Sequence, residues 1–428
     1  MLLRFGVENH KSIKGYQELN LTASNLTDES TDLIFHGNKN PPVLPAIAIY
    51  GANASGKSNI LDALGFMRSC ILQSHANESL DYCARRTPFL LDEECVQKIS
   101  TFDCDFILDT TRYSFGFKID KTSVIEEWLY AYPEGRRQIW YHRNIKDDPI
   151  FYFGNFLKGK NRTIEALTRS NSLFISVAAQ NNHTQLTKIY QYFKDFFKYT
   201  LGFIGTNAAN IELELDKYLE DENFRNFINT YLKLADTGIV DLGIREFSIP
   251  EEAKPMIEDL SALFKKHLKD DAPGFFDEDK RRIIVFRHRQ TGNKKTDFSI
   301  NNESSGTLAL VNILGPIHYA LSNGYILIID ELDSSLHPML SRSLIKLFGS
   351  NKNNPKGAQI IFTTHDTNLL DSTLLRRDQI WFTEKDKNGT THLYPLSDIR
   401  TRKGDNIEKG YLQGRYGAIP YLGSTDCL

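Results

Sequence analysis

Cysteine is scarce and unpatterned in this chain. Its 428 residues hold five, Cys70, Cys83, Cys95, Cys104 and Cys427, without a Cys-x-x-Cys pair. That excludes a zinc ribbon, and the odd count excludes a closed disulfide framework, so reduced thiols of a cytoplasmic protein are expected. No run of about eighteen apolar residues occurs, and no membrane-spanning helix is expected. The opening Met1-Leu-Leu-Arg-Phe-Gly-Val alternates like a strand and meets charge within four residues, unlike a secretory leader. Neither sign of charge dominates: 51 Lys and Arg face 54 Asp and Glu, for a formal charge of −3. A broadly basic nucleic-acid coat is excluded, although a local basic groove stays open. Internal repeats, low-complexity tracts and long coiled-coil heptads are also missing. What is present is 41% hydrophobic and 11% aromatic content, enough for two or three packed lobes.

One segment carries explicit chemistry. Gly51-Ala-Asn-Ala-Ser-Gly-Lys-Ser58 satisfies GxxxxGK[ST] directly after the apolar run Pro45-Ala-Ile-Ala-Ile-Tyr50. A glycine-rich turn lets successive backbone N–H groups close around a triphosphate without Cβ clashes. Lys57 then reaches the β and γ oxygens, and Ser58 holds Mg²⁺. The helix expected from Ser58 onwards adds its positive N-terminal end to the same place. Gly51, Asn53, Ser55, Gly56, Lys57, Ser58 and Asn59 are therefore the candidate nucleotide contacts.

The rest of the chain arranges itself around this loop. Residues 99–142 alternate strongly and predict antiparallel hairpins with one solvated face. From 164 to 264 the aromatic and leucine positions recur at helical spacing, as in Phe224-Arg-Asn-Phe-Ile-Asn-Thr-Tyr-Leu-Lys-Leu234. Asp270-Asp-Ala-Pro-Gly274 breaks that pattern, and β, α, β, α, β order follows from Arg282 to about Phe382. The expected organisation is an α/β head in two halves, 1–160 with the phosphate loop and an antiparallel β subdomain and 281–428, separated by a helical insertion over 161–280.

Three further segments suit a nucleotide site. Tyr325-Ile-Leu-Ile-Ile-Asp330-Glu331 reads as a central parallel strand ending in two acids. Asp330 is the candidate for holding Mg²⁺ through water and Glu331 for general base. Gln359-Ile-Ile-Phe-Thr-Thr-His365-Asp366 is a second buried strand, whose His365 either donates to the γ phosphate or is structural. Asn302-Glu-Ser-Ser-Gly-Thr307 precedes an amphipathic helix over 308–319; Ser304, Ser305 and Gly306 either cap it or present donors to a phosphate. Lys57, Glu331 and His365 are thus the catalytic candidates.

The order of these elements resembles that of ABC-type ATPase heads. Together with Phe-x-Val-x-Asn-His-x-Ser-Ile at 5–13, Ile-Asp-Glu-Leu-Asp-Ser-Ser-Leu-His-Pro at 329–338, and Tyr411-Leu-Gln-Gly-Arg-Tyr-Gly-Ala-Ile-Pro420, it is similar to the AAA/ABC-type ATPases of bacterial abortive-infection loci. The RloA-like group, akin to the ATPase half of OLD-family proteins, is the nearest resemblance. It implies a P-loop ABC-type head that takes ATP and Mg²⁺ in a homodimer or larger even oligomer. Ser304, Ser305 and Gly306 would then act in trans, with Asp333 on the loop that crosses the dimer seam. It further implies antiphage defence, with this chain sensing infection and controlling a separately encoded, nuclease-like effector.

The chain departs from the pattern in three places. The 304–307 turn is not LSGGQ, only Gln73 and Gln97 offer themselves as the coupling glutamine, and about sixty residues follow His365, too few for a nuclease domain of its own. The alternative from another class is a DNA-repair or recombination ATPase acting on DNA ends. Arg136-Arg137, Arg281-Arg282, Arg287-His-Arg289 and Lys294-Lys295 either line a nucleic-acid groove or are merely solvated. The 411–420 segment either docks a partner or packs back on the head.

Overall fold

The computed structural model describes residues 1–37, 39–75, 83–195, 197–200, 215, 219–248, 280–292, 294–402 and 404–420. It separates into two units, Met1–Phe203 with Tyr319–Leu428, and Ile204–His318.

The first unit is an α/β head built on two sheets. Strands β1 (Leu2–Glu8), β2 (Gln17–Asn20), β4 (Ser100–Leu108), β5 (Thr111–Ile119), β6 (Val124–Tyr132), β7 (Gln138–Asn144) and β8 (Phe151–Phe153) form an antiparallel sheet in the order β2-β1-β4-β5-β6-β7-β8. The hairpins expected over 99–142 are its centre. The expected solvated face does not extend to β4, whose first eight residues are all buried. Phe102, Cys104 and Phe106 enter the core, while Asp103 and Asp105 on the other face are covered by Arg4, whose Nη2 lies 2.6 Å from Asp103 Oδ1 and 3.2 Å from Asp105 Oδ1. Two buried carboxylates persist there because a shared guanidinium pairs them.

The second sheet runs β16-β15-β3-β14-β13-β9, from β3 (Ala46–Gly51), β9 (Phe197–Thr200), β13 (Ile326–Ile329), β14 (Gln359–Thr363), β15 (Ile380–Lys385) and β16 (Thr391–Pro395). All neighbours are parallel except β15 and β16. Parallel strands covered on both faces read as continuous apolar runs, which is why every residue of β3, β13 and β14 is buried. Helix α1 (Lys57–Gln73) packs on strands of both sheets, with Ile60, Leu61, Leu64, Met67 and Ile71 on its buried stripe. One apolar cluster takes in Ile47, Ile49, Phe102, Phe115, Ile328 and Ile361.

The helical pattern from residue 161 divides between the units. Besides α2 (Glu93–Gln97), helices α3 (Asn161–Leu167), α4 (Phe174–Gln180) and α5 (Thr184–Asp195) belong to the head, where α4 and α5 pack on α1. Their apolar positions, Phe174, Val177, Leu186, Ile189 and Phe193, share its core, so the boundary by contact falls at 203 and not at 160. In the second unit, α6 (Glu222–Leu234) accompanies a three-stranded antiparallel sheet of β10 (Ile239–Ser248), β11 (Lys280–Arg289) and β12 (Lys295–Ser299). The unit is therefore not purely helical. The helical expectation over 201–214 and 249–279, the break at 270–274, and Cys427 lie outside the described residues.

Candidate functional site

The phosphate loop sits where β3 reaches the carboxyl edge of the parallel sheet, the place at which such sheets hold ligands. Gly51 leaves the strand at φ 155°, Ala54 turns at φ 62°, and Gly56 enters α1 at φ 108°. Gly56 is required there. Its φ is one that L side chains rarely adopt, and an added Cβ would collide with the Thr391 side chain. The first intrahelical bonds of α1 run from Asn59 and Ile60 N–H to Gly56 O, so the Lys57 and Ser58 N–H groups precede the helical ladder.

Lys57 is buried, 6% exposed, and its ammonium donates to Gly51 O at 2.9 Å and Ala52 O at 3.1 Å. Burial draws its pKa below 10.5, against the carboxylates of Asp330, Glu331 and Asp333, which hold it up. Asn53 and Ala54 are exposed at the loop tip and Ser58 is exposed on the first turn. Ser55 is buried, and its hydroxyl lies 2.6 Å from Thr383 Oγ1.

The neighbouring strands bring the acids and the histidine to this edge. Ile49 pairs with Thr363, and Ile329 with Phe362, so Asp330 emerges next to Thr363. The Thr363 hydroxyl donates to Asp330 Oδ1 and accepts from Glu331 N–H at 2.7 Å. Glu331 is exposed and holds φ 53°, while Ser335 in the following loop holds φ 64°. With Ala54 they place three left-handed non-glycine residues in loops at one sheet edge; such backbone persists only where its surroundings impose it, and it gathers at functional sites. His365 N–H donates to both Asp333 carboxylate oxygens, at 3.2 and 3.3 Å. Partial enclosure lowers the His365 pKa below 6.5; Lys57 pushes the same way, and Asp333, Glu331 and Asp330 oppose it. Lys57, Asp330, Glu331, Asp333 and His365 therefore form one electrostatic cluster.

The other candidates are placed as follows. Ser304 lies in the second unit and caps α7 (Ser305–Asn323): its Oγ accepts from Thr307 N–H at 3.1 Å, and Ser304 and Ser305 are exposed. Gly306 is half-buried in the first turn. Arg287 donates to Asp241 at 3.0 Å and Lys295 sits 2.7 Å from the same carboxylate, so part of the basic cluster is neutralised within its own sheet. The 411–420 segment packs back on the head. Tyr411 stacks on Phe382 with centroids 5.5 Å apart, meets Tyr50 edge-on at 5.9 Å, and donates to Ala418 O at 3.1 Å. Pro338 opens α8 (Pro338–Phe348) at its first turn, as its sequence predicts.

Sequence reasoning missed four hydroxyls. Thr363 lies inside the 359–366 segment, but a threonine at the end of a buried strand is an ordinary strand former and marks no site by itself. Ser12, Thr383 and Thr391 reach the phosphate loop from a turn after β1 and from the β15–β16 hairpin. Of these three, Ser12 stands within the 5–13 pattern, and nothing in the sequence marks Thr383 and Thr391.

A parallel sheet in which one strand runs through GxxxxGKS into a helix, with a strand ending in Asp-Glu two places along the sheet, is the arrangement of a P-loop nucleotide-binding head. The chain belongs to the family described as "AAA domain, putative AbiEii toxin, Type IV TA system", whose model matches residues 46–371. Among solved structures it is similar to an SMC head domain from Thermotoga maritima, at TM-score 0.39 and 14% identity over 92% of this chain and 98% of that one. An SmcHead bound to the C-winged helix domain of ScpA gives TM-score 0.39 and 14% identity, with 92% and 97% covered. No curated protein is significantly similar in sequence. Among the described residues no helix is long and apolar enough to cross a membrane.

Proposed function

We propose that this chain binds and hydrolyses Mg·ATP, and that nucleotide-driven closure of a homodimer or larger even assembly is its output. The observation that carries the reading is Lys57, a buried ammonium resting on two carbonyls of its own loop and facing Asp330, Glu331, Asp333 and His365. A buried cation whose direct partners among the described residues are backbone carbonyls exchanges them readily for phosphate oxygens, which carry full charge.

The donor set fits Mg²⁺ as well. Ser58 and Asp330 offer the hydroxyl and carboxylate oxygens that this hard cation takes, and Mg²⁺ there would neutralise phosphate charge. The chain's own groups do the rest. Backbone N–H groups at the start of α1 bind the phosphates; Gly51, Asn53, Ser55, Gly56 and Asn59 shape and flank the loop that presents them. Exposed Glu331 takes a proton from the attacking water, and neutral His365 holds the γ-phosphate end through a ring N–H. Ser304, Ser305 and Gly306 of a second copy supply donors from the opposite side.

The biological reading is antiphage defence, in which the assembly restrains or releases a separately encoded, nuclease-like effector in the cytoplasm. Membership in a family named for a putative toxin system supports a toxic effector. Glu331→Gln tests the mechanism: the variant should still bind ATP, turn over at least about 100-fold more slowly, and accumulate as an ATP-dependent dimer on size-exclusion chromatography. Parental turnover would remove Glu331 from its role. Copurification of a neighbour-encoded effector supports defence, whereas ATPase stimulation by DNA ends, weakening with salt, would move the reading to repair.

A further inference from the structure

The β15–β16 hairpin and the turn after β1 hold the phosphate loop from behind through a chain of hydroxyls. Thr391 Oγ1 lies 2.8 Å from Ser55 O and 2.7 Å from Ser12 Oγ, and Asn59 Nδ2 lies 2.6 Å from Ser12 Oγ. A carbonyl can only accept, and each hydroxyl has one proton. Thr391 therefore donates to Ser55 O, Ser12 donates to Thr391, and Asn59 donates to Ser12. The same logic fixes the second threonine: Thr383 donates to Tyr50 O at 3.2 Å, so the Ser55 hydroxyl donates to Thr383. Ser55 is thus tied at its carbonyl and at its side chain, and Thr391 N–H donates to Ser12 O at 2.8 Å to lock turn and hairpin together.

The consequence lies in one peptide plane. In a trans peptide the C=O and the next N–H point in opposite directions. Holding Ser55 O towards Thr391 aims the Gly56 N–H to the opposite side of the plane. Gly56, at φ 108°, is also the residue with the conformational freedom to let that plane rotate. We propose that Thr391, oriented by Ser12, is a positioning residue for nucleotide: it fixes the Ser55–Gly56 peptide so that the Gly56 N–H faces the phosphates before ATP arrives. This rests on the nucleotide reading above.

The test compares Thr391→Val, Thr391→Ser and Ser12→Ala with the parent, using a fluorescent ATP analogue for affinity, steady-state ATPase for kcat and KM, and thermal melting for the fold. Thr391→Val should weaken nucleotide binding about tenfold and raise KM in step, with kcat within about twofold and a melting temperature lower by roughly a few degrees, because the buried Ser55 O also loses its donor. Thr391→Ser, which keeps the hydroxyl, should bind within about twofold of the parent. If the valine variant does not fold, the half-buried Ser12→Ala decides, with an expected loss of about threefold. Parental affinity in Thr391→Val, no rescue by serine, or parental affinity in Ser12→Ala overturns the inference and leaves the nucleotide reading standing. A parent chain that binds no nucleotide ends both.

Discussion

Thr363→Val isolates what the second strand contributes. Thr363 is fully buried, and its hydroxyl joins the two acids by donating to Asp330 Oδ1 and accepting from Glu331 N–H. Valine keeps the shape and removes only the bonds. A hydrogen bond to a carboxylate contributes about 1.5–3 kcal/mol and one from a backbone N–H about 0.5–1.5 kcal/mol. Asp330 is half-buried, so water restores part of the first, and a net loss of about 2 kcal/mol in unfolding free energy is expected. The effect on turnover is larger. Glu331 loses the anchor of its left-handed backbone and Asp330 loses its orienting partner, and displacement near 1 Å at a reacting centre costs on the order of 100-fold. Affinity for the nucleotide without Mg²⁺ should change little, because Lys57 and the loop N–H groups are untouched. Urea unfolding and steady-state ATPase measure the two effects, with Thr363→Ser as the control that keeps both bonds. Parental stability and rate in the valine variant would refute the reasoning, as would a serine variant equally damaged.

Two other perturbations follow from the same geometry. Gly56→Ala places a Cβ on backbone at φ 108° and against Thr391, which should cost about 2–4 kcal/mol of stability in denaturant unfolding and weaken nucleotide binding with it. His365 is held below its ordinary 6.5, so between that lowered value and 6.5 the unfolded chain binds the proton more readily. Stability therefore rises with pH through this window and is complete above it. His365→Gln should flatten that slope in unfolding free energies compared at about pH 5.5 and 7.5, leaving the part due to His75, His183 and His318, which burial also lowers.

What could be read from the sequence was whatever is contiguous. The phosphate loop, the Asp-Glu strand end and the His strand each carry their chemistry within eight residues or fewer, and apolar runs before them fix their place at a sheet edge. The hydroxyl chain could not be read this way, because Ser12 and Thr391 are 379 positions apart and meet only after β16 is laid beside the loop. A threonine in a hairpin is an ordinary strand former, and its sequence neighbours say nothing about a loop more than 300 residues away. Burial misled in the same fashion. The alternation in β4 predicts a wet face, and Arg4 of β1 covers it. Within the helical periodicity read from 164, the described residues to 195 do carry helices, but which unit they join depended on packing against α1 that no local pattern encodes.

The most direct test is equilibrium binding of Mg·ATP to the purified chain by isothermal titration calorimetry, with Lys57→Ala beside it. Micromolar binding by the parent and loss of at least about 100-fold in the variant, at an unchanged fold by circular dichroism, is the predicted result. A parent without affinity for ATP, or a Lys57→Ala chain that binds as well as the parent, would contradict the account.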